Sequence, residues 1–136
     1  MKYFEELKNA IESEDFCDTE DVLEKIKEED DSIEYVQNLL QFMGEHPDID
    51  YGMPGPVVRY IERYFQKGYE ALLYESLSVA PTQHTLWMLN RILNSPKLAE
   101  KDKYLALLER IAENADIDET VREDAQNFLD YQNRNK

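Results

Sequence analysis

The chain has 136 residues, of which 42% are hydrophobic and 33% charged, and a formal charge of −15 at pH 7. That length suits a single domain, residues 1–136, able to bury a substantial core, while so acidic a surface is repelled by nucleic acid and by anionic lipid. No segment reaches the roughly 18 apolar residues of a membrane-spanning helix and nothing near the N-terminus resembles a secretion signal, so the expectation is a cytoplasmic protein with neither nucleic acid nor membrane as partner.

The charge is unevenly spread. Residues 1–50 hold 17 acids and four bases, residues 51–95 three acids and four bases, and residues 96–136 ten acids and seven bases. A neutral, aromatic-rich middle in an acidic chain is where a core is expected. Four glycines and five prolines are few for a fold of many short strands. Cys17 stands alone, cannot form an intramolecular disulfide and reads as a small apolar filler.

Taken in order, Phe4, Leu7, Ala10 and Ile11 recur at three- and four-residue spacing and predict a first helix over about 2–13. Asp18 or Thr19 can cap a second, short helix carrying Val22, Leu23 and Ile26, which fades in Glu28-Glu29-Asp30-Asp31. Four adjacent carboxylates without local bases read either as a solvated turn or as a recognition surface for a basic partner. Ser32 caps a third helix with Ile33, Val36, Leu40 and Met43 as its stripe, widened by Leu39 and Phe42. Gly44 and Pro47 end it, and residues 46–56, with three prolines and two glycines, cannot be regular structure. Such a loop is where binding function tends to sit on a helical scaffold.

Pro56 suits the first turn of a fourth helix, in which Val57, Ile61, Tyr64 and Phe65 share a face. Lys67-Gly68 stops it, and a fifth helix follows over about 69–79. Pro81 and Thr82 open a helix whose Leu86-Trp87-Met88-Leu89 and Ile92-Leu93 are apolar on almost every side, which places Trp87 at the centre of the core. Asn90 within it reads as a bridge to a neighbouring backbone group. Tyr104, Leu107, Leu108, Ile111, Ala112 and Ala115 mark a further helix. Asp118 then caps a last one with Val121, Ala125, Phe128 and Leu129, before a polar tail at 132–136. The rhythm predicts an all-α fold of about six to seven helices stacked as irregular antiparallel hairpins, of HEAT-like or bundle type.

No catalytic constellation is legible. The two histidines, His46 and His84, are 38 positions apart and lack metal-ligand spacing. Asp48-Ile49-Asp50-Tyr51-Gly52 has the wrong register for a calcium loop, because Arg59 falls where a glutamate is required. Phosphate-binding loops, nucleophile elbows and Cys/His pairs are absent from the sequence. The expectation is therefore a non-enzyme that needs no metal and no cofactor.

Three stretches, GMPGPVVRYIERYF, GYEALLYESL and PTQHTLWMLNRILNS, together resemble the small helical immunity proteins encoded beside polymorphic or contact-dependent bacterial toxins. The resemblance spans about a third of the chain and carries over no residue roles. What it implies is neutralisation of one cognate toxin, often a nuclease, in the bacterial cytoplasm. A chain of charge −15 would be steered towards a basic toxin domain. The other reading is a HEAT-like adaptor that binds some other protein or peptide in a helical groove. The expected contact residues are Glu28, Glu29, Asp30, Asp31, Glu34, Asp48, Asp50 and Tyr51, chosen for the acidity of residues 1–50 and the stiffness of the loop.

Overall fold

In the computed structural model, residues 1–134 are described, and they are all-α, with no strand among them. The eight helices are α1 (Phe4–Glu12), α2 (Phe16–Glu29), α3 (Ile33–Glu45), α4 (Gly55–Glu62), α5 (Tyr69–Val79), α6 (Gln83–Leu93), α7 (Lys101–Glu113) and α8 (Glu119–Arg134). The chain divides into two compact units, Met1–Leu72 and Leu73–Lys136.

In the first unit, the break between α1 and α2 is sharp because Glu14 is left-handed, at φ 58°. The carboxylate of Asp15 then accepts the free amide of Asp18 at 3.0 Å. The second helix therefore starts at Phe16, earlier than a cap at Asp18 or Thr19 would allow. Its length is decided by Asp15, which meets one of the first-turn amides that have no partner within the helix. Ser32 caps α3 as its sequence implies, accepting from the Glu34 amide at 3.2 Å.

Apolar stripes on these helices make the core. Leu7, Ala10 and Ile11 of α1 are buried, as are Val22, Leu23 and Ile26 of α2, and α1 packs on α2 across a three-residue link. The α3 face is broader than the expected stripe: Tyr35 and Leu39 are completely buried, whereas Ile33 is only half-buried. Val57, Val58, Tyr60 and Ile61 bring α4 onto α2. Each such aliphatic side chain contributes about 1.5–3 kcal/mol when fully withdrawn from water. After α4 the chain turns through residues 63–68 and reaches Gly68 at φ +115°, where an added Cβ would lie 2.7 Å from Ile33 Cδ1. It is the positive φ that favours glycine there, since Ile33 Cδ1 is the end of a flexible side chain that can give way.

In the second unit, Leu73 and Leu77 of α5, Leu86, Met88, Leu89, Ile92 and Leu93 of α6, and Tyr104, Leu107, Leu108 and Ile111 of α7 are buried. Thr82 and Thr85 close a capping box at the start of α6. Trp87 is not its centre. It is half-buried, with the His84 ring at 5.4 Å and the Arg91 guanidinium at 5.1 Å over its face. A large amphipathic ring beside an arginine can remain at the border of a core, so leucine and methionine fill the interior instead. The expected polar tail is also partly wrong. Helix α8 runs to Arg134 and packs on α6 and α7, and Gln132 is buried, donating to the side-chain oxygens of Asn90 at 2.7 Å and Asn94 at 2.9 Å. Asn90 is thus a bridge, but to a side chain and not to a backbone group. Residues 135 and 136 lie outside the described residues.

Candidate functional site

The first unit carries an open groove of about 540 Å³ between the start of α2 and the segment leading into α4. One wall is Phe16, Cys17, Glu20 and Asp21, and the other is Gly52 to Pro56 with Arg59. The α2 residues reach the same side because positions four apart on a helix are neighbours.

Hydrogen bonds hold the opposite wall. Tyr51 is 2% exposed, and its hydroxyl donates to the His46 carbonyl at 2.7 Å. Burial pushes its phenol well above the ordinary value, so it stays neutral. Asp50 accepts the Gly52 amide at 2.9 Å, while its own amide donates to Glu14 Oε2 at 3.3 Å. Gly52 sits at φ +86°, and a Cβ there would come within 2.7 Å of the Gly55 Cα and 3.4 Å of the Phe16 ring. The turn is therefore closed tightly on itself with the Phe16 ring beside it, and of the large apolar lining residues Met53 is 72% exposed and Phe16 40%. The titratable lining groups are Cys17, Glu20, Asp21 and Arg59. Glu20 has Lys27 Nζ at 3.8 Å. A lone thiol without a histidine beside it, two solvated carboxylates and a guanidinium do not assemble a nucleophile, base and orienting group. They do suit the binding of a polar-edged apolar segment.

The sequence-predicted contact residues fall into two groups that the fold does not bring together. Glu28, Glu29, Asp30, Asp31 and Glu34 lie at the N-terminal end of α3, and Asp48, Asp50 and Tyr51 follow its C-terminal end. Thirteen helical residues separate the two groups by about 20 Å at 1.5 Å each. Within the first group, the acids that lack neighbouring bases in sequence find partners in three dimensions. Asp31 accepts from the hydroxyls of Tyr60 and Tyr64 and from Arg63 Nη2, each at 2.8 Å. Partial desolvation alone would raise its pKa, but the bonds from Arg63, Tyr60 and Tyr64 outweigh it and hold the carboxyl below the ordinary value. Asp30 accepts from the Tyr35 hydroxyl and from the Lys2 amide, and these bonds lower it likewise. Glu29 accepts from the Tyr3 hydroxyl at 2.7 Å. Only Glu28, Glu34 and Asp48 keep exposed side chains with no such internal role. Asp30 and Asp31 are ties between elements, so the run is more than a simple solvated turn. Tyr51 is a buried staple of the loop and not an exposed anchor.

Of the groove residues, sequence reasoning missed Phe16, Glu20, Asp21, Met53 and Arg59, and Cys17 is exposed instead of filling a core. The available signal was local. Phe16 and Met53 are large apolar side chains in segments otherwise made of acids or of proline and glycine, where no stripe claims them.

Among the described residues no group of three or more His, Cys, Asp or Glu stands close enough to hold a metal ion, and no helix is long and apolar enough to cross a membrane. Fold and groove together define a small all-α protein with an apolar, acid-edged surface groove. Comparison with protein-family models, curated proteins and solved structures returns no match.

Proposed function

We propose that this chain is an acidic protein-binding module that acts as an immunity protein, neutralising a cognate basic toxin domain in the bacterial cytoplasm by direct contact and without turnover of its own. The observation that carries the proposal is the pairing of two exposed large apolar side chains, Phe16 and Met53, on one groove edged by Glu20 and Asp21. An apolar patch with a polar rim is the usual form of a protein-binding surface. The net charge of −15 adds long-range attraction towards a basic domain such as a nuclease, whose substrate surface is itself positive.

The test is to purify the chain with the product of the adjacent gene and to measure both the affinity and that product's activity. Tight 1:1 binding with loss of activity is the expected result. Binding that leaves the activity intact would favour the adaptor reading, and absence of binding would overturn the immunity proposal.

A further inference from the structure

We infer that the groove between α2 and the 52–56 turn receives a partner segment bearing one bulky apolar side chain next to a Lys or Arg, the apolar group between Phe16 and Met53 and the cation against Glu20 and Asp21. This rests on the protein-binding reading and adds the chemistry of the contact. A volume near 540 Å³ lies within the range of about 300–1,000 Å³ that ligand sites occupy. The groove is open along its length, so it suits a side chain projecting from a larger partner better than a small molecule that needs enclosure.

The walls differ in charge. Glu20 and Asp21 stand on the α2 side and Arg59 on the α4 side, so a cation on the occupant is drawn to α2, and Arg59 is left to face a carbonyl or carboxylate of the same segment. Among the described residues Asp21 makes no ion pair within 4 Å, although it attracts Lys25 at longer range. Glu14, whose Oε2 accepts the Asp50 amide at 3.3 Å, and Asp50, whose carboxylate accepts the Gly52 amide, add negative potential at the groove end near Gly52. A second copy of this chain is disfavoured as occupant because two surfaces of charge −15 repel each other. Asp31, by contrast, already accepts from Tyr60, Arg63 and Tyr64, so its charge is engaged within the chain.

The probe is a fluorescein-labelled nonapeptide with one central Leu between pairs of Lys, compared with one peptide in which Leu is replaced by Ser and another in which Lys is replaced by Glu. Binding is read by anisotropy, and its location by amide shifts of labelled protein. The Lys/Leu peptide should bind, with shifts at Phe16, Cys17, Asp21, Gly52 and Arg59, and both control peptides should bind at least about tenfold more weakly. Met53→Asp, at a 72% exposed position, and Asp21→Lys should each weaken binding at least about fivefold, whereas Glu123→Lys, an exposed charge reversal on α8, should not. Equal binding of the Ser peptide, or retained binding by both groove variants, would overturn the inference. Failure of every peptide while the adjacent gene product still binds would overturn the groove alone, whereas peptide binding without binding of that product would leave the groove standing and remove the toxin. Self-association abolished by Met53→Asp would identify a second copy as the occupant and likewise overturn it.

Discussion

At the residue scale the most informative group is Asp31, because a carboxylate that looks idle in the sequence is the acceptor for three side chains of another helix and its following turn. Its folded pKa is held below the ordinary 3.8, so between the folded and unfolded values the unfolded chain binds more protons. The stabilisation is therefore present above the unfolded value and is lost as pH falls through the folded one. Asp30, also lowered, acts in the same direction. The denaturation midpoint should fall as the pH is taken from about 5 to about 2, and Asp31→Asn, which keeps an acceptor oxygen but no titrating charge, should flatten that slope. An unchanged slope in the variant would show that the acid sensitivity resides elsewhere. The neighbouring phenols follow the same logic with opposite sign: burial, and then the bond to Asp31, raises Tyr60, and burial with the bond to Asp30 pushes Tyr35 up to about 12.

At the scale of elements, the last helix depends on a polar contact as well as on its apolar face. Ala125 is fully buried on α8, but Val121, Phe128 and Leu129 are only half-buried, and the buried amide of Gln132 ties α8 to α6 through Asn90 and Asn94. Gln132→Ala removes two hydrogen bonds and leaves two side-chain oxygens in search of partners, which should lower unfolding free energy by about 1–3 kcal/mol. Urea denaturation measures this. A loss near zero would mean that water replaces the amide without penalty. Helix α3 plays a different part, as a spacer: its length is what separates the acids tied down at its N-terminal end from those that hold the groove wall near its C-terminal end.

At the scale of the whole molecule, the surplus of carboxylates acts through the field they produce together. Few of them are matched by bases, and surface pairs such as Lys25 with Glu6 at 3.0 Å are worth little individually. A net charge of −15 should raise the rate of encounter with a basic domain, and that gain is screened once the Debye length falls from about 30 Å at 0.01 M salt to about 3 Å at 1 M. The association rate constant with a basic partner should accordingly drop at least about tenfold across that range, with the dissociation rate changing much less. A salt-independent association rate in stopped-flow measurements would remove electrostatic steering from the account.

The all-α class and the order of the helices were determined by the sequence itself, because three- and four-residue apolar spacing and cap residues such as Ser32, Thr82 and Asp118 act within a few residues of where they stand, although eight helices form among the described residues where six to seven were expected. The buried stripes Leu7, Ala10 and Ile11 of α1 and Tyr104, Leu107, Leu108 and Ile111 of α7 were legible for the same reason, whereas Ala115, expected to extend the latter, lies beyond α7 and is exposed. Tertiary structure alone decided what periodicity cannot encode. It gave Asp31 three donors from residues about 30 positions away, put Tyr51 inside the loop it was expected to crown, kept Trp87 at the border of its core, and buried Gln132 in what read as a tail. The groove belongs to this second class. Phe16 and Met53 line one groove whose turn closes on itself because Gly52 lacks a Cβ, and a pairing between positions so far apart in the chain is settled by packing and not by any local pattern.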